Sequence, residues 1–333
     1  MRRLACIRAV AAIACAVSAG PALGADEARG WLERMGRALE TVNYAGTLIQ
    51  LQGTDVVVMR IVHRVENGVQ TERITALDDV GREIIRREEE VICILPDEQA
   101  VMVGARGEHS AGISPIRQQF GGVRFDDRYY KLTIASAGKL MGRTTRLVTV
   151  RPTDSYRFGY RVWLDQATGM PLKVQIADND GVVVEQMLFS EISLPDRIPA
   201  SAVQASAKLD SYTWQRPRSA SGPGASLPAN QGNWRAVDLP PGFSLRAVRS
   251  EPADGDTDAL EQLVYSDGVA SVSVFVESGV AAAERGEGPS RMGAANAYTT
   301  DVGVYMITAV GEVPLSTVKT IARSISPVAA TGP

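Results

Sequence analysis

Beyond Asp26 the apolar residues Trp31, Leu32, Met35 and Leu39 recur at helical spacing, which predicts a helix capped by Asp26 and laid against a sheet. From Tyr44 to Phe189 the pattern changes to short β-branched runs separated by turn residues, as in an antiparallel sheet. Its best-marked strand is Arg157 to Leu164, where Phe158, Tyr160, Val162 and Leu164 alternate with Arg157, Gly159, Arg161 and Trp163. The turn DQATGMP (165 to 171) follows, and then Leu172, Val174 and Ile176 alternate with Lys173, Gln175 and Ala177. A second turn, DNDG (178 to 181), leads into Val182 to Phe189, so three sequential strands are expected to form a meander. Earlier candidate strands are Gly46 to Gln52, Val56 to Val65, Val69 to Leu77, Arg82 to Arg87, Val91 to Leu95 and Ala100 to Val103. Between Leu194 and Trp234 the alternation fades while proline, glycine and serine accumulate, which marks a boundary. Further on, Val269 to Glu277 and Val302 to Val310 read as strands, and a final helix is expected from Pro314 with Leu315, Val318, Ile321 and Ile325 facing the sheet.

Composition narrows this picture. A 333-residue chain that is 45% hydrophobic can build a real core, and its length favours two domains. At the start, Arg2, Arg3 and Arg8 precede the apolar run Ala9 to Val17 and then small residues, the layout of a secretory signal cut near Ala25. The apolar run is half of the roughly 20 residues a membrane span requires. Cys15 lacks the preceding leucine of a lipidation box, and Arg2 and Arg3 lack the flanks of a twin-arginine signal, so the general secretory route is expected. Removal of the signal leaves Cys93 alone, so no internal disulfide is expected in an oxidising compartment. It also leaves 32 basic against 38 acidic residues, a formal charge of −6 that disfavours nucleic-acid binding.

The chemistry sought in the chain is mostly missing. Two histidines, His63 and His109, exclude a multi-histidine metal centre in one chain. His63 shares strand phase with Met59 and Ile61 and reads as a half-buried histidine, while His109 lies in a glycine-rich loop. Neither a GxxxxGK[ST] loop nor a GxSxG elbow occurs. Cys93, between Ile92 and Ile94, reads as a buried thiol of high pKa. The run Glu88 to Glu90 reads as a solvated turn. A hydrolase reading would use a pair such as Asp126 and Asp127, and adjacent residues of an extended segment point to opposite faces. No enzyme, metal or cofactor is expected.

Three stretches, LDDVGREIIRREEEVICILPD (77 to 97), WLDQATGMPL (163 to 172) and LVYSDGVASVSVFVE (263 to 277), together resemble the periplasmic sigma-E regulatory proteins, the RseB/MucB family. LPPGF (239 to 243) and residues 293 to 325 extend the resemblance to both halves of the chain. It implies an α+β protein. Residues 26–200 would form an open antiparallel β half-barrel with packed helices, similar to lipoprotein carriers; 201–233 would be a linker; and 234–326 would form a smaller α+β regulatory domain. It also implies a periplasmic negative regulator of the envelope stress response. Such a protein binds the periplasmic part of a membrane anti-sigma factor and shields it from proteolysis, and lipopolysaccharide or another acyl-bearing ligand relieves the shielding. Self-association into a homo-oligomer is a further implication. The concave face would be lined by Phe158, Tyr160, Val162, Leu164, Leu172, Val174 and Ile176, the candidate lipid-binding residues. For the partner, Val269, Ser271, Ser273 and Phe275 on an exposed edge strand would accept an extended peptide by strand addition. The alternative function is a periplasmic lipid or lipoprotein carrier, which would need the half-barrel alone.

Overall fold

The computed structural model describes residues 21–87, 90–105, 125–216, 232–251, 260–278 and 286–328. The expectations placed on residues 1–20, on Glu88 and Glu89, on His109 and on 217–231 lie outside the described residues.

The first helix, α1, runs Pro21–Thr41. Asp26, expected as its cap, is therefore inside it, as is the cleavage point near Ala25. Ala28, Leu32, Met35, Ala38 and Leu39 recur every three or four residues and are buried on one side. Trp31 sits at the margin of that stripe, partly buried, with the Arg34 guanidinium 5.0 Å from its ring centre.

Two meanders follow. The first comprises β1 (Tyr44–Gln52), β2 (Asp55–Glu66), β3 (Val69–Ala76), β4 (Glu83–Arg86), β5 (Glu90–Leu95) and β6 (Ala100–Ala105). The second comprises β7 (Tyr130–Leu140), β8 (Arg143–Pro152), β9 (Gly159–Asp165), β10 (Pro171–Ala177) and β11 (Val183–Ser193). Antiparallel pairing of β1 with β11 joins them into one sheet. With β12 (Thr213–Gln215) alongside β6, the order is β12-β6-β5-β4-β3-β2-β1-β11-β10-β9-β8-β7, an open sheet with β7 and β12 at its edges. Strand alternation sends Leu48, Ile61, Val148, Val162, Val174, Met187 and Phe189 to the face that receives the α1 stripe, and together they make the main core.

Residues 201–216, expected as the first half of a linker, belong to this sheet. A short 3-10 helix, Ala200–Val203, buries Val203 against Val62 and Ile198. Ala205, Leu209 and Tyr212 then pack on Ile85, Ile92, Ile94, Val101 and Val103 of β4 to β6. The segment shows no alternation because it covers a sheet with irregular backbone, adding only β12 in parallel to β6.

The rest of the described chain forms a smaller body. β13 (Trp234–Ala236) opens it, and β14 (Ser244–Glu251), β15 (Leu260–Ser266), β16 (Ser271–Ser278), β17 (Gly288–Met292), β18 (Ala295–Val302) and β19 (Tyr305–Gly311) make a six-stranded antiparallel sheet ordered β14-β15-β16-β19-β18-β17. The second helix, α2 (Leu315–Arg323), lies on it, and β20 (Ile325–Pro327) pairs back to β13. Val318 and Ile321 are fully buried against the sheet as expected, and Ile325 is buried from β20. Leu315 departs from expectation: at the first helical position it projects past the sheet and stays 38% exposed.

The turn between β9 and β10 fixes where α1 docks. Asp165 Oδ2 accepts hydrogen bonds from the Thr168 backbone N–H (3.0 Å) and hydroxyl (2.6 Å), which folds DQATG into a tight loop. Arg34 of α1 donates to the Ala167 carbonyl. Gly169 has φ +84°, and a β-carbon there would lie 2.8 Å from Arg34 Cγ. Gly169→Ala therefore combines a left-handed backbone with a clash against α1. We expect a loss of about 1–3 kcal/mol in urea unfolding, and an unchanged midpoint would refute this docking.

Candidate functional site

All seven residues expected on a lipid-binding face are buried, on β9, on β10 or just before them. Val162 pairs with Val174 and Tyr160 with Ile176 across the β9–β10 ladder. Six of them, all but Leu172, belong to the same cluster as the α1 stripe, so this face is packed with the protein's own side chains.

The expected edge strand is not an edge. β16 pairs with β15 on one side and with β19 on the other, out to Ser278. Its backbone groups are spent in two ladders, so Ser273 and Phe275 cannot take an added strand, and Val269 lies before the strand with its N–H bonded to Asp267 Oδ1. Among the described residues the edges of the small sheet are β14 and β17. Ser271, Ser273 and Phe275 point away from the buried Val272, Val274 and Val276, to the face opposite α2. Val269 instead packs on the core of the large sheet.

That contact belongs to a junction centred on Arg157. Alternation placed this residue on the polar face of a strand, yet the strand begins only at Gly159, and the bend before it turns Arg157 inward to 0% exposure. Its Nε donates to Asp267 Oδ2 at 2.5 Å, and the Asp267 side chain is itself 0% exposed. Its two other nitrogens donate to Asp154 and to the Pro241 carbonyl. Aromatic rings close around the guanidinium, with the centres of Tyr129 and Phe243 at 4.4 and 5.0 Å. Asp267 is saturated as well: the Tyr130 hydroxyl donates to Oδ2 at 3.0 Å, and the backbone N–H groups of Val269 and Ala270 donate to Oδ1 at 2.9 and 2.8 Å. Burial foremost, then the Asp267 carboxylate, pushes the Tyr130 hydroxyl far above the usual phenol range and keeps it a donor.

This geometry explains LPPGF and SDGVA, two short motifs far apart in sequence. Gly242 has φ +85°, and a β-carbon there would lie 2.4 Å from the Tyr129 ring, so only glycine lets Pro241 and Phe243 flank the guanidinium. The tight turn after Asp267 aims its own N–H groups at the carboxylate that Arg157 needs. α2 grips the same bend, since the Thr317 hydroxyl donates to the Tyr156 carbonyl at 2.8 Å.

A second contact lies on β11. Glu185 is buried and accepts from Gln50 Nε2 at 2.7 Å and from the Ala294 N–H at 3.2 Å. The turn between β17 and β18 thereby places Ala294, fully buried, in the core of the large sheet. A cavity of about 400 Å³ opens where the two sheets meet, lined by the apolar Phe158, Val184, Pro289, Pro314 and Leu315 and by the polar Asp178, Ser290, Arg291 and Asn296.

Groups weighed for other chemistry have structural roles. His63 is fully buried, its Nδ1 3.0 Å from the Val42 carbonyl and its ring stacked on Tyr44 at 4.9 Å. Burial raises the pKa of Cys93, and Arg86 offsets part of the rise. Asp126 and Asp127 lie in the turn before β7 rather than on an extended strand. Arg128 hydrogen-bonds Asp126 and lowers its pKa to about 2, and Asp127 pairs with Arg29 at 2.6 Å, so neither is poised as a general acid.

Comparison with known proteins spans the whole of this architecture. The MucB/RseB N-terminal domain model matches residues 27–207, and the MucB/RseB C-terminal domain model matches 228–326. The chain is 30% identical to the sigma factor AlgU regulatory protein MucB of Pseudomonas aeruginosa, over 93% of this chain and 94% of that protein. It is 26% identical to the sigma-E factor regulatory protein RseB of Escherichia coli K12, over 92% of each. Among solved structures, the Pseudomonas aeruginosa MucA/MucB complex matches with a TM-score of 0.69 at 27% identity, over 91% of this chain and all of the matched chain. A structure of MucB in complex with MucA(peri) matches with a TM-score of 0.68 at 26% identity, with the same coverage.

Two expectations follow from the junction. Arg157→Ala leaves the Asp267 carboxylate buried without its cation and should cost about 3–5 kcal/mol. The double variant Arg157→Met with Asp267→Leu should recover much of that loss, and additive losses in a double-mutant cycle would refute the pairing. Tyr130 and Tyr160 are both raised well above the tyrosine value of 10.0 by burial. Because the folded state holds these protons more tightly than the unfolded chain, their contribution to stability is intact below about pH 10 and is lost as pH rises beyond it. In an ultraviolet titration, two of the nine tyrosines should ionise only with unfolding. Ionisation of all nine in the folded state would contradict this.

Proposed function

This chain belongs to the MucB/RseB family, and on that premise we propose that it is a non-enzymatic periplasmic regulator of the envelope stress response. It binds the periplasmic segment of a membrane anti-sigma factor and shields that segment from proteolysis. The observation that carries this reading is the full-length match to MucB, a relative whose solved complex contains MucA, over both sheets and the junction between them. The pattern at the start of the chain supports export with cleavage near Ala25, and the buried clusters support a division into a large body that extends past residue 200 to 216 and a small body over 234–326.

The carrier reading gives the small sheet no task, whereas a regulator needs two bodies whose juxtaposition can be altered. Partner contact is assigned to the small body, with Ser271, Ser273 and Phe275 presented from its open face instead of through an edge. An acyl-bearing ligand, lipopolysaccharide among them, relieves the shielding. Of the seven apolar residues of β9 and β10, Phe158 is reached first, because it also lines the cavity at the seam. Five of the others, Tyr160, Val162, Leu164, Val174 and Ile176, lie in the packed core, and an acyl chain would reach them only by displacing the elements that cover it. Burial of apolar surface supplies about 25 cal/mol per Å², so one acyl chain can shift an equilibrium between two arrangements.

The test is a protease-protection assay on the mature chain mixed with the periplasmic segment of a membrane anti-sigma factor. Cleavage of that segment should slow severalfold when the protein is present, and lipopolysaccharide should restore the rate. Phe275→Asp should weaken protection with little effect on unfolding. Equal cleavage with and without the protein would overturn the reading.

A further inference from the structure

A second cavity, of about 330 Å³, opens on the large sheet alone. Along β9 the residues turned into the core are Tyr160, Val162 and Leu164, so Gly159 and Arg161 point to the opposite face. Gly159 pairs with Ala177 of β10, and a β-carbon at Gly159 would lie 2.9 Å from the Val150 carbonyl. With no side chain on one of these residues and a single methyl on the other, the strands leave a pit beneath the turn that joins β10 to β11. Its volume falls at the small end of the roughly 300–1,000 Å³ that hold small ligands.

The walls of this pit carry charge of both signs. Arg151 of β8 and Arg161 of β9 supply two guanidinium groups, and Asp178 and Asp180 of the turn supply two carboxylates. Thr149 and Asn179 complete the polar lining. The opposite charges do not meet, since none of the four side chains forms an ion pair among the described residues. Local bonds hold two of them in place. Asp178 Oδ1 accepts from the backbone N–H groups of Asp180 and Val182 at 3.1 and 2.9 Å, which commits this carboxylate to folding the turn. Arg161 donates from one Nη to the Gly181 carbonyl at 3.4 Å, a long bond that engages only one arm of its fork.

We propose that this pocket binds a small zwitterion of the amino-acid or dipeptide class, its carboxylate on Arg151 and Arg161 and its ammonium group beside Asp180. A carboxylate takes two parallel hydrogen bonds from a guanidinium fork, and an ammonium group brings three donors for the acidic side of the pit. A simple anion would answer the arginines and be left facing two aspartates, and an apolar ligand would strand all four charges. Every lining residue belongs to the large body, so binding depends neither on the small body nor on the function proposed above.

Dialanine is the probe, titrated by calorimetry into the mature full-length chain. Arg161→Gln should lower its affinity about tenfold or more. Arg151→Gln and Asp180→Asn, both at exposed positions, should each lower it severalfold with the unfolding midpoint retained. Arg249→Gln, exposed on β14 of the small body, should leave it unchanged. Blocked analogues assign the two ends. N-acetyl-dialanine, which lacks the ammonium group, should bind more weakly than dialanine and equally to the parent and to Asp180→Asn. Dialanine amide, which lacks the carboxylate, should likewise not distinguish the parent from Arg151→Gln. No binding of dialanine by the parent, parent-level affinity in both arginine variants, or inorganic phosphate bound as tightly as dialanine would overturn the proposal.

Discussion

A guanidinium withdrawn from water has to find its charge and all its donors compensated at once, and at Arg157 no single segment of the chain can do this. Asp154 is local, but Asp267 and the Pro241 carbonyl come from the small body, 110 and 84 residues away in sequence. The aromatic enclosure is likewise shared between Tyr129 of the large body and Phe243 of the small one. Juxtaposition of the two sheets is therefore a condition for burying this side chain. The requirement also runs backwards into sequence, since it asks for glycine at position 242 and for an Asp-Gly turn whose N–H groups face their own carboxylate.

The large sheet has a complementary problem. One face of a long open sheet is apolar, and an uncovered apolar face of that size drives association. Here α1 covers it, held at one end by the Asp165 turn, while the turn bearing Ala294 closes another part from the small body. Both covers are thus single elements whose positions are fixed by a few polar bonds and, for α1, by a close glycine contact. Such covers are specific in position and are displaced at lower cost than strands, which would have to give up whole ladders.

The strands were legible because their alternation is local. Every strand expected between Gly46 and Val103, and the whole β9–β11 meander, corresponds to an observed strand with ends shifted by no more than a few residues. What failed depended on distance. Whether β16 is an edge is decided by β19, which returns beside it only after the stretch 279–304 that carries β17 and β18. Arg157 obeys the phase of its strand in the sequence and leaves it in the fold, since its partners lie outside any window in which periodicity can be read. Residues 201–216 were misread for a related reason: irregular backbone that packs on a sheet has the composition of a linker.

The apolar residues along β9 and β10 divide into two roles. Tyr160, Val162, Leu164, Val174 and Ile176 have neighbours on every side and owe their apolar character to packing. Phe158 stands at the end of that row, next to Arg157 and lining a cavity to which both sheets contribute. A residue so placed belongs to the core and to the seam at once. If regulation in this protein acts through apolar occupancy, the end of the row is where occupancy and juxtaposition are the same event, and its middle is where they cannot be.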